Sequence, residues 1–192
     1  MKYLNEVLEF FDISDNYRSY QIELFGNYVG KEILEVGAGR GKIIEILAQN
    51  SEKEFTLLEL DKNFFDILNN KFNSKNIKVL EERTQNIKEK KFDTIFYLDV
   101  IEHIEDDRFE LDTAYNLLKK NGHLIIIVPA FQILFSKFDQ KVGHFRRYRK
   151  EFFKRYSDEK NLKIKKLVYF DFLGFFIILF SKLLNLTNSK KT

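Results

Sequence analysis

An apolar strand that leads directly into three closely spaced glycines limits the possible fold of this chain more than any other feature. Residues 33–41 read ILEVGAGRG, and the apolar helical segment 43–47 follows. Glycine permits a tight backbone turn and lets a ligand approach where a Cβ would clash. The amino end of the next helix favours negatively charged groups. The segment therefore predicts a site for a nucleotide-like ligand at the carboxyl end of a strand.

Strands and helices alternate after this turn. Continuous apolar runs such as LIIIV at residues 124–128 are typical of parallel strands that are covered on both faces. The pattern predicts an α/β fold with a doubly wound, mostly parallel sheet, preceded by amino-terminal helices. The predicted strands are 32–36, 55–60, 77–80, 92–98, 123–128 and 164–170, and the predicted helices are 2–11, 16–29, 43–47, 63–72, 109–118 and 151–156.

Length and composition predict one domain over residues 1–192, in three parts. These are an amino-terminal helical cap (1–29), a ligand-binding core (30–130) and a substrate-side loop with the carboxyl-terminal elements (131–192). The chain has no cysteine, which excludes disulfides, thiol nucleophiles and zinc–thiolate sites. Its amino terminus lacks the features of a secretory signal, and the apolar stretch 172–180 is too short to span a bilayer. We therefore expect a cytoplasmic protein, with peripheral membrane contact left open.

Basic residues are concentrated near the carboxyl end. Residues 137–166 contain twelve basic and four acidic residues, whereas the whole chain has a net charge of only +3. A small net charge does not by itself indicate a nucleic-acid partner. The phenylalanine-rich stretch that follows could lie at a bilayer surface or form core or dimer contacts.

An acidic residue follows the second predicted strand. Glu59 lies eighteen residues after Gly41, a distance at which such folds bind a ribose diol with a carboxylate. Asp61 points the same way if the strand persists, and we favour Glu59. A dinucleotide fingerprint is disfavoured because its third glycine would fall at Lys42, and the P-loop sequence is absent.

Four segments in this order resemble the class I S-adenosylmethionine (SAM)-dependent methyltransferases: ILEVGAGRG, LLELD, KFDTIFYLDVIEHI and LLKKNGHLIIIVP. The resemblance covers about residues 30–130 and implies SAM as the methyl donor, with S-adenosylhomocysteine (SAH) as product. Members of this family usually add a last strand beyond the point where this chain stops. An incomplete carboxyl-terminal end of the sheet, or a truncated chain, is therefore left open.

The resemblance also implies the residues that hold the donor. Glu35 would contact the amino group of the methionine moiety, Glu59 would hold the ribose hydroxyls and Asp99 would lie beside the sulfonium. In the family an acid usually contacts the adenine amine, but residues 82–86 read ERTQN, so Thr84 and Gln85 take this role here. The remaining predicted cofactor contacts are Gly37, Ala38, Gly39, Gly41 and Leu60.

Two histidines are candidates for a base that would activate an oxygen acceptor. His103 follows the fourth core strand, where related methyltransferases carry a histidine near the donor. It could instead cap a short helical turn. His144 lies in GHFRRY, within a long predicted loop over residues 131–148. This stretch is similar to that of a bacterial, small-molecule branch of the family that often accompanies glycosyltransferases.

The arginines of the same stretch suggest an acceptor site. Arg146 and Arg147 could bind an anion of the acceptor, and Tyr148 completes the predicted substrate-binding set. The alternative is a solvated basic surface. The acidic cluster Asp106, Asp107 and Asp112 raises the possibility of a metal, but a run such as Glu102–Asp107 more often stabilises a helix start, so no metal is predicted.

Together these observations predict transfer of a methyl group to a small-molecule, sugar- or lipid-linked acceptor, at oxygen. The rivals are an RNA methyltransferase and a non-catalytic SAM-binding protein. A nucleic-acid partner is disfavoured because LDVI (98–101) replaces the proline-containing element of amino-directed base methyltransferases. The sequence makes no prediction of oligomeric state.

Overall fold

The computed structural model describes residues 15–49, 51–72, 74–88 and 90–170. These residues group into two compact units. The sheet unit contains the described residues up to Ile101 together with Asp106–Ile127, and the second unit contains Glu102–Glu105 and the described residues from Val128 onward. The prediction of a single domain over residues 1–192 stays a prediction.

The sheet unit is a five-stranded parallel sheet with helices between the strands. Its strand order is β3-β2-β1-β4-β5, and each pair of neighbouring strands is parallel. The strands are β1 (Glu32–Val36), β2 (Glu54–Leu58), β3 (Ile77–Leu80), β4 (Phe92–Leu98) and β5 (Leu118–Ile127). The helices are α1 (Asp15–Phe25), α2 (Lys42–Leu47), α3 (Lys62–Lys71) and α4 (Asp107–Leu117). Short 3-10 turns occur at Gly26–Tyr28, Thr84–Asn86 and Ile101–His103. The predicted fold class is confirmed.

The three central strands are buried as their apolar runs predicted. Leu34, Leu57 and Ile95 have no exposed surface, and neither do Phe92 and Phe96. Because the chain builds β1, β2 and β3 outward and then returns to place β4 beside β1, the order reverses between β1 and β4. Ligands of open α/β sheets bind at the carboxyl ends of the strands at such a point.

The last strand of the sheet is longer than predicted. β5 starts at Leu118, which pairs with Phe92, and the regular ladder resumes where Thr94 pairs with His123. Between these pairs the register shifts, and Asn121 takes a positive φ of 64°. The irregularity explains why the pattern predicted a strand only from residue 123.

The second unit contains more helix than expected. The predicted loop 131–148 includes a 3-10 turn (Gln132–Leu134) and helix α5 (Lys137–Val142), and α6 (Lys150–Glu159) follows. Ser136 caps α5 through a reciprocal capping box with Asp139, and Gly143 ends the helix with a φ of 89°. These local bonds stabilise a helix too short to give a clear apolar period.

The predicted strand over residues 164–170 is wrong. Residues 164–170 form no ladder with another strand of the described chain. The ring of Tyr169 packs against Phe131 with centroids 4.5 Å apart, and the Lys150 backbone N–H donates to the Tyr169 hydroxyl at 3.3 Å. Side-chain packing onto the second unit takes the place of strand pairing here.

Several predictions fall on other parts of the chain. The predicted helix 2–11, the apolar stretch 172–180 and the carboxyl-terminal end of the sheet lie outside the described residues. Within the described ranges, no helix has the length and hydropathy needed to cross a bilayer.

Candidate functional site

The glycine turn after β1 has one position that borders open space. Gly37, Gly39 and Gly41 all have positive φ angles, between 56° and 69°. A Cβ at Gly37 would lie 2.7 Å from Val100 Cγ2, and one at Gly41 would lie 2.5 Å from Phe72 Cε2. A Cβ at Gly39 would meet no heavy atom of the described residues within 4 Å. The outer glycines are therefore required by packing, whereas the middle one leaves room for a ligand.

Backbone hydrogen bonds connect this turn to the end of the neighbouring strand. The N–H groups of Gly37 and Ala38 both donate to the Leu58 carbonyl, at 2.8 and 3.1 Å. The turn and the residue after β2 are thereby placed side by side at the carboxyl edge of the sheet.

The two acidic residues after β2 have different partners. Glu59 accepts one hydrogen bond from the Gly39 N–H and another from the Asp61 N–H, both at 2.8 Å. Its side chain is turned to the glycine turn, and the residue is only 8% exposed. Asp61 instead caps α3 by accepting from the N–H groups of Asn63 and Phe64. Only Glu59 lies against the turn.

Glu35 contributes a buried carboxyl group near the same turn. It is 4% exposed, and its Oε2 has no hydrogen-bond partner among the described residues. Burial raises the pKa of Glu35 to about 8; the charge of Arg18 acts against this rise and the charge of Glu59 adds to it. A buried polar atom without a partner is costly, so this carboxyl is suited to receive a cationic group of a ligand.

The amino-terminal helix supplies two polar side chains that the sequence analysis did not single out. Arg18 donates to the Gln21 side-chain carbonyl at 2.8 Å and lies 3.8 Å from the carboxylate of Asp99. Arg18 Nε and Gln21 Nε2 are buried and make no hydrogen bond with the described residues. Arg18 and Gln21 are three positions apart on α1 and so lie on the same side of the helix. The arginine within this predicted helix was the only sequence feature that could have indicated them. Arg18 and Glu35 therefore bring a basic and an acidic group close to each other.

The groups around the glycine turn can be compared with the chemical groups of SAM. The amino-acid end of SAM carries an ammonium and a carboxylate, which match Glu35 and Arg18 in charge. The open position at Gly39 provides the close backbone approach that a nucleoside needs. The residues present fit the group.

The other predicted cofactor contacts lie in varied surroundings. Asp99 has a positive φ of 58°, and its side chain is 46% exposed. Thr84 is buried and accepts from the Tyr97 hydroxyl at 3.4 Å, whereas Gln85 is exposed. Leu60 is 53% exposed.

In the second unit, His144 is held by a buried carboxylate. Its Nδ1 lies 3.0 Å from Asp139 Oδ1, and Asp139 has no exposed surface. Arg147 donates to both carboxylate oxygens, at 2.7 and 3.0 Å. Burial alone would raise the pKa of Asp139, but the hydrogen bonds from His144 and Arg147 outweigh it and hold the pKa far below its usual range. Asp139 thus remains a carboxylate that fixes the orientation of the imidazole.

The structure brings the two predicted catalytic histidines together. Their rings are perpendicular, with centroids 4.5 Å apart. Burial, reinforced by the neighbouring His144, lowers the pKa of His103 to about 4. Glu102, which is fully buried, has its Oε1 4.0 Å from His144 Nε2. We refer to Glu102, His103 and His144 as the histidine cluster; the sequence analysis did not single out its carboxylate.

The predicted acceptor residues take different positions. Arg147 is engaged by Asp139 and its side chain is only 8% exposed. Tyr148 is 3% exposed and packs against the rings of Phe152 and Phe153. Arg146 donates to the Glu105 carbonyl at 2.7 Å and keeps partial exposure. Of the three, Arg146 is the most available to a ligand.

The acidic residues set aside in the sequence analysis behave as helix-start residues where the structure describes their contacts. The Asp106 side chain accepts from the Phe109 N–H at 3.0 Å and so caps α4. Asp107 begins the helix and is 4% exposed.

Comparison with known proteins agrees with this geometry. Residues 34–124 match the family model described as a methyltransferase domain. No match was found among curated proteins.

Solved structures of similar fold include three methyltransferase-type proteins. A candidate methyltransferase from Bacillus halodurans C-125 is 14% identical, with a TM-score of 0.63 over 75% of this chain and 69% of that chain. A SAM-dependent methyltransferase from Clostridium acetobutylicum is 22% identical, with a TM-score of 0.52 over 65% and 57%. The N-methyltransferase NodS from Bradyrhizobium japonicum, solved with SAH, is 18% identical, with a TM-score of 0.56 over 68% and 67%.

At these identities the likeness concerns the fold, and this chain spans between 57% and 69% of the lengths of the three proteins. The family match covers the glycine turn, Glu59 and the strand that precedes Asp99. Residues 34–124 are therefore similar to a methyltransferase domain, and the sheet has the class I methyltransferase-like fold.

Proposed function

We propose that the protein transfers a methyl group from SAM to an oxygen of a small-molecule, sugar- or lipid-linked acceptor. The observation that carries the proposal is the proximity of three groups: the open position at Gly39, the Glu59 carboxylate that accepts from the Gly39 N–H, and the buried Glu35 carboxyl, whose Oε2 has no hydrogen-bond partner among the described residues. Bound SAM supplies an electrophilic methyl group on its sulfonium. The contribution of the chain is then to bind and orient the reactants, which can account for most of the acceleration of an in-line displacement.

Each polar group of the sheet unit has a proposed task. Glu35 holds the ammonium of the donor, and Arg18 holds its carboxylate. Glu59 already uses both oxygens on backbone N–H groups, but each oxygen retains a lone pair that can accept a ribose hydroxyl. Thr84, Gln85 and Leu60 border the adenine, and Asp99 lies toward the sulfonium end.

On the acceptor side we assign proton transfer to His144 and His103. His144 Nδ1 is taken by Asp139, so its Nε2 is the nitrogen that can accept a proton. The lowered pKa keeps His103 neutral at physiological pH. A neutral imidazole is the form that can take the proton of an acceptor hydroxyl.

An acceptor with an anionic and an apolar part is supported by the surface of the second unit. Ile133 is 69% exposed and Phe145 is 49% exposed, in a region whose sequence is strongly basic. Arg146 retains partial exposure for a phosphate or carboxylate. Such a surface also suits peripheral contact with an anionic membrane, where lipid-linked acceptors reside.

The test is incubation of the protein with SAM labelled in its methyl group and a cell extract. Extraction into organic solvent, an aqueous small-molecule fraction, RNA and protein then separates the products. Label in a small molecule or lipid supports the proposal, and alkali-stable ether label supports oxygen as the acceptor atom. Label in RNA, or SAM binding without transfer to any fraction, contradicts it. The variant Gly39→Val is the control for background transfer.

A further inference from the structure

The histidine cluster has a geometry that exceeds the needs of a single proton acceptor. Glu102, His103 and His144 each offer one ligand atom, and these atoms all lie within 4.8 Å of one another. The cluster is drawn from two segments of the chain about forty residues apart, so its convergence is a product of folding. We propose that these three side chains bind one divalent cation of the Zn²⁺ type.

The orientation of His144 is an independent observation for this site. Metal-binding histidines almost always give their second ring nitrogen to a carboxylate or carbonyl, which fixes the tautomer and the ring. His144 Nδ1 has this arrangement with Asp139, at 3.0 Å, and its Nε2 is turned to Glu102. Asp139 is itself fixed by Arg147 and by the Ser136 N–H. The hydrogen bonds of Asp139 therefore already hold His144 in the orientation that a metal ligand needs.

The distances are compatible with a small contraction around a cation. Zn²⁺ binds nitrogen and oxygen at about 2.1 Å, which places tetrahedral ligand atoms about 3.4 Å apart. His144 Nε2 and Glu102 Oε1 are separated by 4.0 Å. A side-chain adjustment of about half an ångström would close this pair onto the metal.

The ligand types favour a borderline transition-metal ion. Imidazole suits zinc, iron, copper and nickel, whereas magnesium and calcium prefer sites made only of oxygen. Three protein ligands leave at least one coordination position open, which is typical of catalytic rather than structural sites.

Cation binding does not depend on the proposed methyl transfer; only its consequence for the reaction does. With the metal bound, both imidazoles would act as ligands instead of bases, and the cation would lower the pKa of an acceptor hydroxyl placed at the open position. The proton would then pass to solvent.

The experiment uses the full chain without a polyhistidine tag, stripped with a chelator and titrated with Zn²⁺ by calorimetry and with Co²⁺ by visible absorption. The expected result is one equivalent bound, with d–d bands for Co²⁺. Glu102→Gln and His144→Ala should each weaken binding at least tenfold. Because the chain has only three histidines and no cysteine, His123→Ala in β5 is a matched control that should bind as the wild type.

Absence of binding in the stripped wild type, or equal affinity in the wild type, Glu102→Gln and His144→Ala, overturns the metal site. Thermal melting and SAM affinity are measured on the same samples. Metal-free protein that binds SAM and methylates at full rate overturns the proposed role of the cation in the reaction and leaves the imidazole base in place. Zn²⁺ binding without SAM binding overturns the proposed function and leaves the metal site in place.

Discussion

The glycine turn and the histidine cluster are built in different ways. In the turn, three residues within five positions take positive φ angles, and backbone N–H groups make the connecting bonds to Leu58 and Glu59. In the histidine cluster, the groups come from residues 102–103 and 144, and the buried Asp139 holds His144. The turn depends on which conformations glycine allows, whereas the cluster depends on a paired buried charge. Different substitutions should therefore damage each region.

The largest effect on stability is expected from the ion pair between Arg147 and Asp139, the carboxylate that contacts His144. Arg147→Ala leaves the fully buried Asp139 carboxylate without its guanidinium partner, which should lower the free energy of unfolding by about 3–5 kcal/mol. Denaturant unfolding measures this loss. Arg146→Ala, which removes a hydrogen bond to the Glu105 carbonyl, is the matched control and should lower the free energy of unfolding by only about 1 kcal/mol. Equal losses in the two variants would remove the distinction we draw between these arginines.

In the turn, the larger expected effect is on ligand binding. Gly39→Val places side-chain atoms in open space and should weaken SAM binding at least about 100-fold, or about 2.7 kcal/mol. The left-handed backbone should cost about 2 kcal/mol of stability. Calorimetry and thermal melting measure the two quantities. Gly26→Ala, where a Cβ lies 4.0 Å from Ile22, should leave SAM binding unchanged. Undiminished SAM affinity in Gly39→Val would show that the donor lies elsewhere.

The two carboxylates after β2 separate ligand binding from helix capping. Glu59→Ala should weaken SAM binding about 10- to 100-fold, because hydrogen bonds to charged groups contribute about 1.5–3 kcal/mol. Asp61→Ala removes the cap of α3 and should cost about 1 kcal/mol of stability with little change in SAM affinity. Calorimetric titration measures the SAM affinity of both variants. A large loss of affinity in Asp61→Ala and none in Glu59→Ala would show that Asp61 contacts the ribose.

A pH dependence of stability is expected from Glu35. Its pKa is raised from 4.5 to about 8, so the folded protein retains a proton that the unfolded chain has lost. This contribution to stability is present below about pH 4.5, declines as the pH rises toward about 8 and is absent above it. Thermal melting across this range should show the decline in the wild type and a flatter profile in Glu35→Gln.

Ligand binding should reverse the preference of the same carboxyl group. An ammonium beside Glu35 favours its ionised form, so SAM binding near pH 7 should release a proton and tighten as the pH rises toward 8. Calorimetry in buffers of different ionisation enthalpy measures the proton. Release of the same number of protons by Glu35→Gln would contradict the assignment of the ammonium contact.

The sheet and its glycine turn were predictable because their signals are local. Residues 77–80 and 92–98 form strands as predicted, and Glu59, which follows the second strand, accepts from the Gly39 N–H. Strand 164–170 was mispredicted because a short apolar run does not indicate whether a pairing partner exists. Helix α5 was missed because six residues are too few to show a helical spacing of apolar residues. Its capping box was the better signal.

The sequence by itself determined the order of strands and helices, the backbone turn and the acid at the next strand end, since each follows from residue type and short spacing. Only the tertiary structure decided which polar groups meet. Arg18 joins Asp99 and Gln21, and Arg147 is committed to Asp139. His103, His144 and Glu102 converge from separate segments. Contacts of this kind depend on how distant segments pack, and the periodicity of a single segment carries no information about its distant neighbours.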